Sequence, residues 1–202
     1  MFSNQYGFTP GLAFVYAANE RWNFSAGRRG ELFSDRAPNM VDAMTILGAS
    51  GNPGNSVRSQ LRVEHTAPMA DGGKVTAALA ISDPISTNIS ADFADRTEDN
   101  GHPNFEAKLA FASAPPGSEV LLRRPVFEIG VSGVYGEFRK FYNLQPPFSV
   151  RNYSIEGIAL DGGLRLGDRF GFQGEVYQGR GLGNYLGLAN QTVNAQSLEI
   201  VT

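Results

Sequence analysis

The chain has 202 residues, with 24 glycines, 14 phenylalanines, no cysteine and a formal net charge of −3. This length suits one domain, the lack of cysteine excludes disulfides, thiolate metal sites and a cysteine nucleophile, and the slightly acidic balance does not suggest nucleic-acid binding. No apolar run approaches the roughly 20 residues of a membrane-spanning helix, so any membrane crossing must use strands.

Apolar residues recur at every second position in eight stretches, the period of strands and not of helices. Residues 11–17 place Leu12, Phe14 and Tyr16 on one face. Residues 21–29 set Trp22, Phe24 and Ala26 against Asn23, Ser25, Gly27 and Arg29. The clearest stretch, 57–66, opposes Val57, Leu61 and Val63 to Arg58, Gln60, Arg62 and Glu64. In 74–82, Val75, Ala77, Leu79 and Ile81 oppose Lys74, Thr76, Ala78 and Ala80. In 105–113, Phe105, Ala107, Leu109 and Phe111 oppose Glu106 and Lys108. In 126–136, Phe127, Ile129, Val131 and Tyr135 oppose Glu128 and Ser132. Residues 153–164 carry apolar side chains on both faces, and 169–178 set Phe170, Phe172 and Val176 against Gln173, Glu175 and Tyr177. A ninth strand is expected to begin beyond them.

The connections alternate in length. Residues 17–20 and 165–168 are tight, whereas 30–56, 83–104, 137–152 and 179–195 are long and rich in Gly, Asn, Asp and Pro. Strands of about ten residues, aromatics near strand ends (Tyr16, Trp22, Tyr135, Tyr153) and one long-loop rim fit a tilted transmembrane barrel. A soluble sandwich alternates too, so periodicity by itself leaves open whether the apolar face meets a core or lipid.

The segments WNFSAGRRGELFSD (22–35), VRSQLRVEH (57–65) and LGDRFGFQGEVYQGRGLGNYLGLANQTVN (166–194) resemble strand–loop–strand motifs of DcaP-like trimeric outer-membrane porins and their phosphate-selective porin O/P relatives. The resemblance runs from about Tyr6 to Asn194; Arg28-Arg29 and Ser59 depart from its usual Gly-Gln and Pro. It implies an all-β, antiparallel up-and-down transmembrane barrel of roughly sixteen strands per subunit in a homotrimer of the bacterial outer membrane. Residues 1–202 would then be a single porin domain and about half a barrel. The chain ends SLEIVT, without the terminal aromatic of such barrels, and the remainder is expected C-terminal.

Arg58 and Arg62 share one strand face with Gln60 between them, about 13 Å apart at the extended rise. They could form two rungs of a basic ladder that favours anions, joined by Arg29 and Lys108. The plainer reading pairs each arginine with a carboxylate such as Glu64 or Glu106. The expected pore-lining set is Arg29, Arg58, Gln60, Arg62, Glu64 and Lys108, with residues 30–56 as a candidate constriction. Asp92, Asp95, Glu98 and Asp99 lack Ca²⁺-loop spacing and read as solvated charge. His65 and His102 make no metal set, Gly179–Gly183 reads as a tight loop and no catalytic constellation is visible. The expectation is a passive, non-enzymatic pore without cofactor or metal, partnered by outer-membrane lipid and small hydrophilic solutes, anionic ones in the narrower form. A structural or adhesive barrel and a soluble carbohydrate-binding module are the alternatives.

Overall fold

Alternating β-branched and aromatic residues, punctuated by Asn, Asp and Gly, build one all-β sheet. The computed structural model describes residues 12–35, 57–84, 98–113, 126–141, 150–166 and 170–185. Its strands are β1 (Ala13–Ala18), β2 (Trp22–Gly30), β3 (Val57–Pro68), β4 (Lys74–Ser82), β5 (Glu98–Ala112), β6 (Phe127–Phe141), β7 (Val150–Leu166) and β8 (Phe170–Arg180). A 3₁₀ turn, Leu182–Tyr185, follows. Each strand pairs antiparallel with its sequence neighbour in the order β1-β2-β3-β4-β5-β6-β7-β8, an up-and-down meander open at β1 and β8. No α-helix occurs among the described residues.

Local chemistry sets the tight turns. Asn19 Oδ1 accepts the Arg21 and Trp22 amides at 2.9 and 2.8 Å, closing the β1–β2 turn. Between β3 and β4, Gly72 takes φ +81° and Asp71 Oδ1 accepts the Gly73 amide at 3.0 Å. β5, β6, β7 and β8 outrun the expected stretches on the long-connection side, and β3 runs on to Pro68 at its tight turn. β5 begins at Glu98, within the region read as loop, because register shifts around His102 interrupt the alternation. In the strand register Glu98 stands opposite Lys140 and Asp99 opposite Arg139, while Asp92, Asp95 and the expected ninth strand lie outside the described residues.

Cross-strand register shows how consistently the two faces are sorted. Trp22, His65, Ala77, Leu109, Val131, Leu160 and Val176 form one continuous row. A parallel row, Ala26, Leu61, Ile81, Phe105 and Tyr135, ends at Glu156 and Arg180, whose side chains pair at 2.6 Å. This apolar face is exposed: Leu61 is 62%, Leu79 61% and Phe172 66% accessible. The opposite face carries Ser25, Arg58, Gln60, Glu106, Ser132 and Asp161, all buried.

β1 keeps Phe14 and Tyr16 on one face, as the alternation predicts, and its register decides which face that is. Phe14 pairs with Gly27 and Tyr16 with Ser25, which puts both aromatics on the polar side and leaves Ala13, Val15 and Ala17 on the apolar face. Both parities of β1 are apolar, so alternation could not choose between them. Gly27 decides: its φ is +129°, and a Cβ there would lie 2.7 Å from the Phe14 Cα. Arg29 then places its guanidinium 5.1 Å from the Phe14 ring, a cation–π contact.

Candidate functional site

The polar face is covered by the protein's own chain. After β2, residues 31–35 turn across it, and Leu32, Phe33 and Ser34 are each wholly inaccessible. Side chains from β3, β5, β6 and β8 converge on these residues. Their amides lie outside the sheet ladder and need other acceptors. Glu106 Oε2 takes the Leu32 and Phe33 amides at 2.6 and 3.4 Å, and Ser132 Oγ takes the Ser34 amide at 2.9 Å. The Ser34 hydroxyl donates to Glu175 at 2.5 Å. Gln60 Nε2 donates to the Arg29 and Gly30 carbonyls, both at 2.9 Å, where the chain leaves β2.

A second segment meets the first. The 3₁₀ turn brings Leu182 and Tyr185 onto the polar face, where they join Phe33, Val134, Phe138, Tyr153, Ile155 and Ala159 in a buried apolar cluster. This explains why β7 carries apolar residues on both faces: Ile158 and Leu160 belong to the exposed side, Ile155 and Ala159 to this cluster. The phenolic oxygen of Tyr185 accepts from Asn104 Nδ2 at 2.8 Å and donates to Glu106 Oε1 at 3.1 Å. Burial raises the Tyr185 hydroxyl above its usual range, against the opposing pull of Arg58, so it stays protonated and able to donate.

All six expected wall residues share this face, but they are not equivalent. Arg58 and Arg29 are direct cross-strand partners, a like-charge pairing that must be resolved. Arg58 turns to Glu31, with Nε–Oε2 at 3.1 Å and both side chains fully buried. It also donates to the Asp83 and Pro84 carbonyls at 3.1 and 2.9 Å and stacks 3.7 Å from the Tyr185 ring centroid. Arg29 turns the other way, to Ser25 Oγ at 2.6 Å and Glu64 at 3.9 Å. Arg62 pairs with Glu64, and Asn23 donates to the same carboxylate at 3.0 Å. Lys108 bridges Asp35 and Asp161, the latter at 3.1 Å. The two arginines of β3 therefore differ: Arg58 is a buried anchor for an inserted segment, while Arg62 borders a recess.

Sequence reasoning had weighed Glu106 only as an arginine's partner and had not singled out Glu31, Phe33, Asp161, Glu175 or Tyr185. For two of the buried polar side chains, Asp161 and Asn104, a usable signal was a glycine opposite them. A Cβ at Gly130 would lie 2.7 Å from Asp161 Oδ2, and one at Gly136 would lie 1.9 Å from Asn104 Oδ1. Gly157 provides the seat for Phe33, since a Cβ there would stand 2.8 Å from the ring and 3.1 Å from Leu182. Gly157→Leu should displace both segments together, raising hydrogen exchange at the Leu32–Ser34 amides while β3 and β4 stay protected. Unchanged exchange would show that the segment does not need this seat.

His65 packs 4.4 Å from Trp22, His102 lies 3.6 Å from Glu137, and no group of three or more metal-ligating side chains occurs among the described residues. No protein-family model, curated protein or solved structure matches the chain.

Proposed function

We propose that the chain forms the wall of an outer-membrane porin barrel, with the apolar face against lipid and the polar face toward a water-filled path partly filled by residues 31–35. The observation that carries this reading is the inversion of soluble packing: the charged face is covered, and the apolar face is open. Eight strands at about 4.8 Å spacing make that face about 34 Å wide, and a seven-residue apolar stretch is about 20 Å tall. The resulting area, on the order of 700 Å², exceeds the roughly 300–600 Å² of the largest patch on a typical soluble monomer. A lipid-facing band bordered by Trp22 and His65 at one end of β2–β3, and by the Glu156–Arg180 pair on β7–β8, accounts for it.

A porin also explains why strands so far apart in the sheet reach one five-residue segment, since a sheet rolled around its polar side brings them together. The open edges at β1 and β8 call for further strands, because unpaired backbone amides cost several kcal/mol each in hydrocarbon. The resemblance of residues 22–35, 57–65 and 166–194 to DcaP-like porins adds the expectation of a homotrimer passing small hydrophilic solutes. A non-transporting structural barrel is the second reading, favoured by the apolar cluster that fills part of the polar face. Reconstitution into a planar bilayer distinguishes them. Stepwise, steady conductance supports the pore; insertion into the membrane without conductance supports the filled barrel; a protein that stays monodisperse in water without detergent rejects both.

A further inference from the structure

We propose that the recess beside the inserted segment binds a small amino-acid-like zwitterion, taking its carboxylate at Arg62 and its ammonium group at Asp35. This deepens the porin reading and rests on it for the route by which solute arrives. The recess has a volume of about 340 Å³, at the small end of the range for ligand pockets. Ala78 and Ala110 are among its lining residues, together with Arg62, Glu64, Lys108 and Asp35. Two cations and two carboxylates balance, so a solute carrying one charge of each sign keeps the site neutral. A net anion would add a charge that the lining does not compensate.

The arginine has capacity to spare. Arg62 Nη2 is committed to Glu64, and its Nη1 makes only a long 3.5 Å contact to the Gly30 carbonyl. Its side chain is only 10% exposed, yet the buried Nε–H has no acceptor among the described residues. The weakly bonded Nη1 is the donor left for a solute, and a carboxylate oxygen is the acceptor that a guanidinium best accommodates. At the other side of the recess, Asp35 is 34% exposed, against 16% for Glu64, so it is the carboxylate with room for a second cation besides Lys108. Register places Glu64 and Lys108 on either side of Ala78, so a small side chain lines the recess between the two charged ones.

Ligand-observed saturation-transfer NMR on the protein in detergent micelles tests the site without requiring a pore. The probes are γ-aminobutyrate, butyrate and butylammonium. Binding of γ-aminobutyrate at least fivefold tighter than either singly charged analogue is expected. Arg62→Gln should abolish that preference, and Ala78→Leu, which adds bulk to the recess and leaves every charge in place, should abolish binding. Equal binding of all three probes, or γ-aminobutyrate binding unaffected by Ala78→Leu, would overturn the proposal. Bilayer conductance read on the same preparations separates the two ideas: a conducting protein without zwitterion preference removes the recess site and leaves the pore, whereas zwitterion preference without conductance removes the pore and leaves the site.

Discussion

Replacing Arg58 with Met should release residues 31–35 from the polar face, with a loss of about 3–5 kcal/mol in the stability of the inserted arrangement. The variant removes the Arg58 cation from beside the wholly buried Glu31 carboxylate, and it strips hydrogen bonds from the Asp83 and Pro84 carbonyls. Breaking a buried ion pair costs far more than an exposed pair contributes, so the segment should leave in search of water. The expected readout is fast hydrogen exchange at the Leu32 and Phe33 amides together with larger, noisier conductance. The double change Arg58→Met with Glu31→Leu removes both charges and should recover most of the protection. Slow exchange in the single variant would show that Glu106, Ser132 and Glu175 hold the segment in place without Arg58. A change in anion preference with no change in exchange would instead return Arg58 to the role of a filter.

On the apolar face the largest effect is expected from Leu61→Arg, at about 2–4 kcal/mol if that position lies near the bilayer midplane. Leu61 is central to the apolar stretch of β3, and its neighbours across the strands are Ala26 and Ile81. His65 lies on the same face four residues along, about 13 Å away at the extended rise. Arginine at His65 should therefore cost only about 0–1 kcal/mol, as it does near an interface. Urea unfolding in lipid vesicles measures both variants. The depth dependence is the decisive feature: a soluble core covered by another domain would penalise both positions, and equal costs would reject the lipid-facing assignment.

Much of this architecture is legible in the sequence. Within β3, Val57, Leu61 and Val63 against Arg58, Gln60, Arg62 and Glu64 could be sorted by parity, because side chains in a strand alternate strictly. The long connection after β2 reads as a candidate constriction; residues 31–35 of it lie across the polar face, and residues 36–56 lie outside the described residues. The ends of β5, β6 and β7 were harder to see. Bulges near His102 break the period, and Phe138, Tyr153 and Ile155 put apolar groups where a polar wall was expected. Those side chains make sense only once Phe33 and Tyr185 are known to cover them.

The sequence by itself determined the all-β meander, the two-faced strands and the residues on the charged face, because each depends on local period and turn chemistry. Only the tertiary structure decided which charges pair. Glu31 is 27 residues from Arg58, and Ser34 is 141 from Glu175. Period-two alternation states which side of a strand a residue occupies and nothing about what crosses that side. The facing of β1 was likewise settled by Gly27, where the missing Cβ admits Phe14 and an alternating pattern of small and large apolar residues could not. Arg58 and Arg62 look alike in sequence. One is an anchor and the other borders a recess, because a single inserted segment buries the first and stops beside the second.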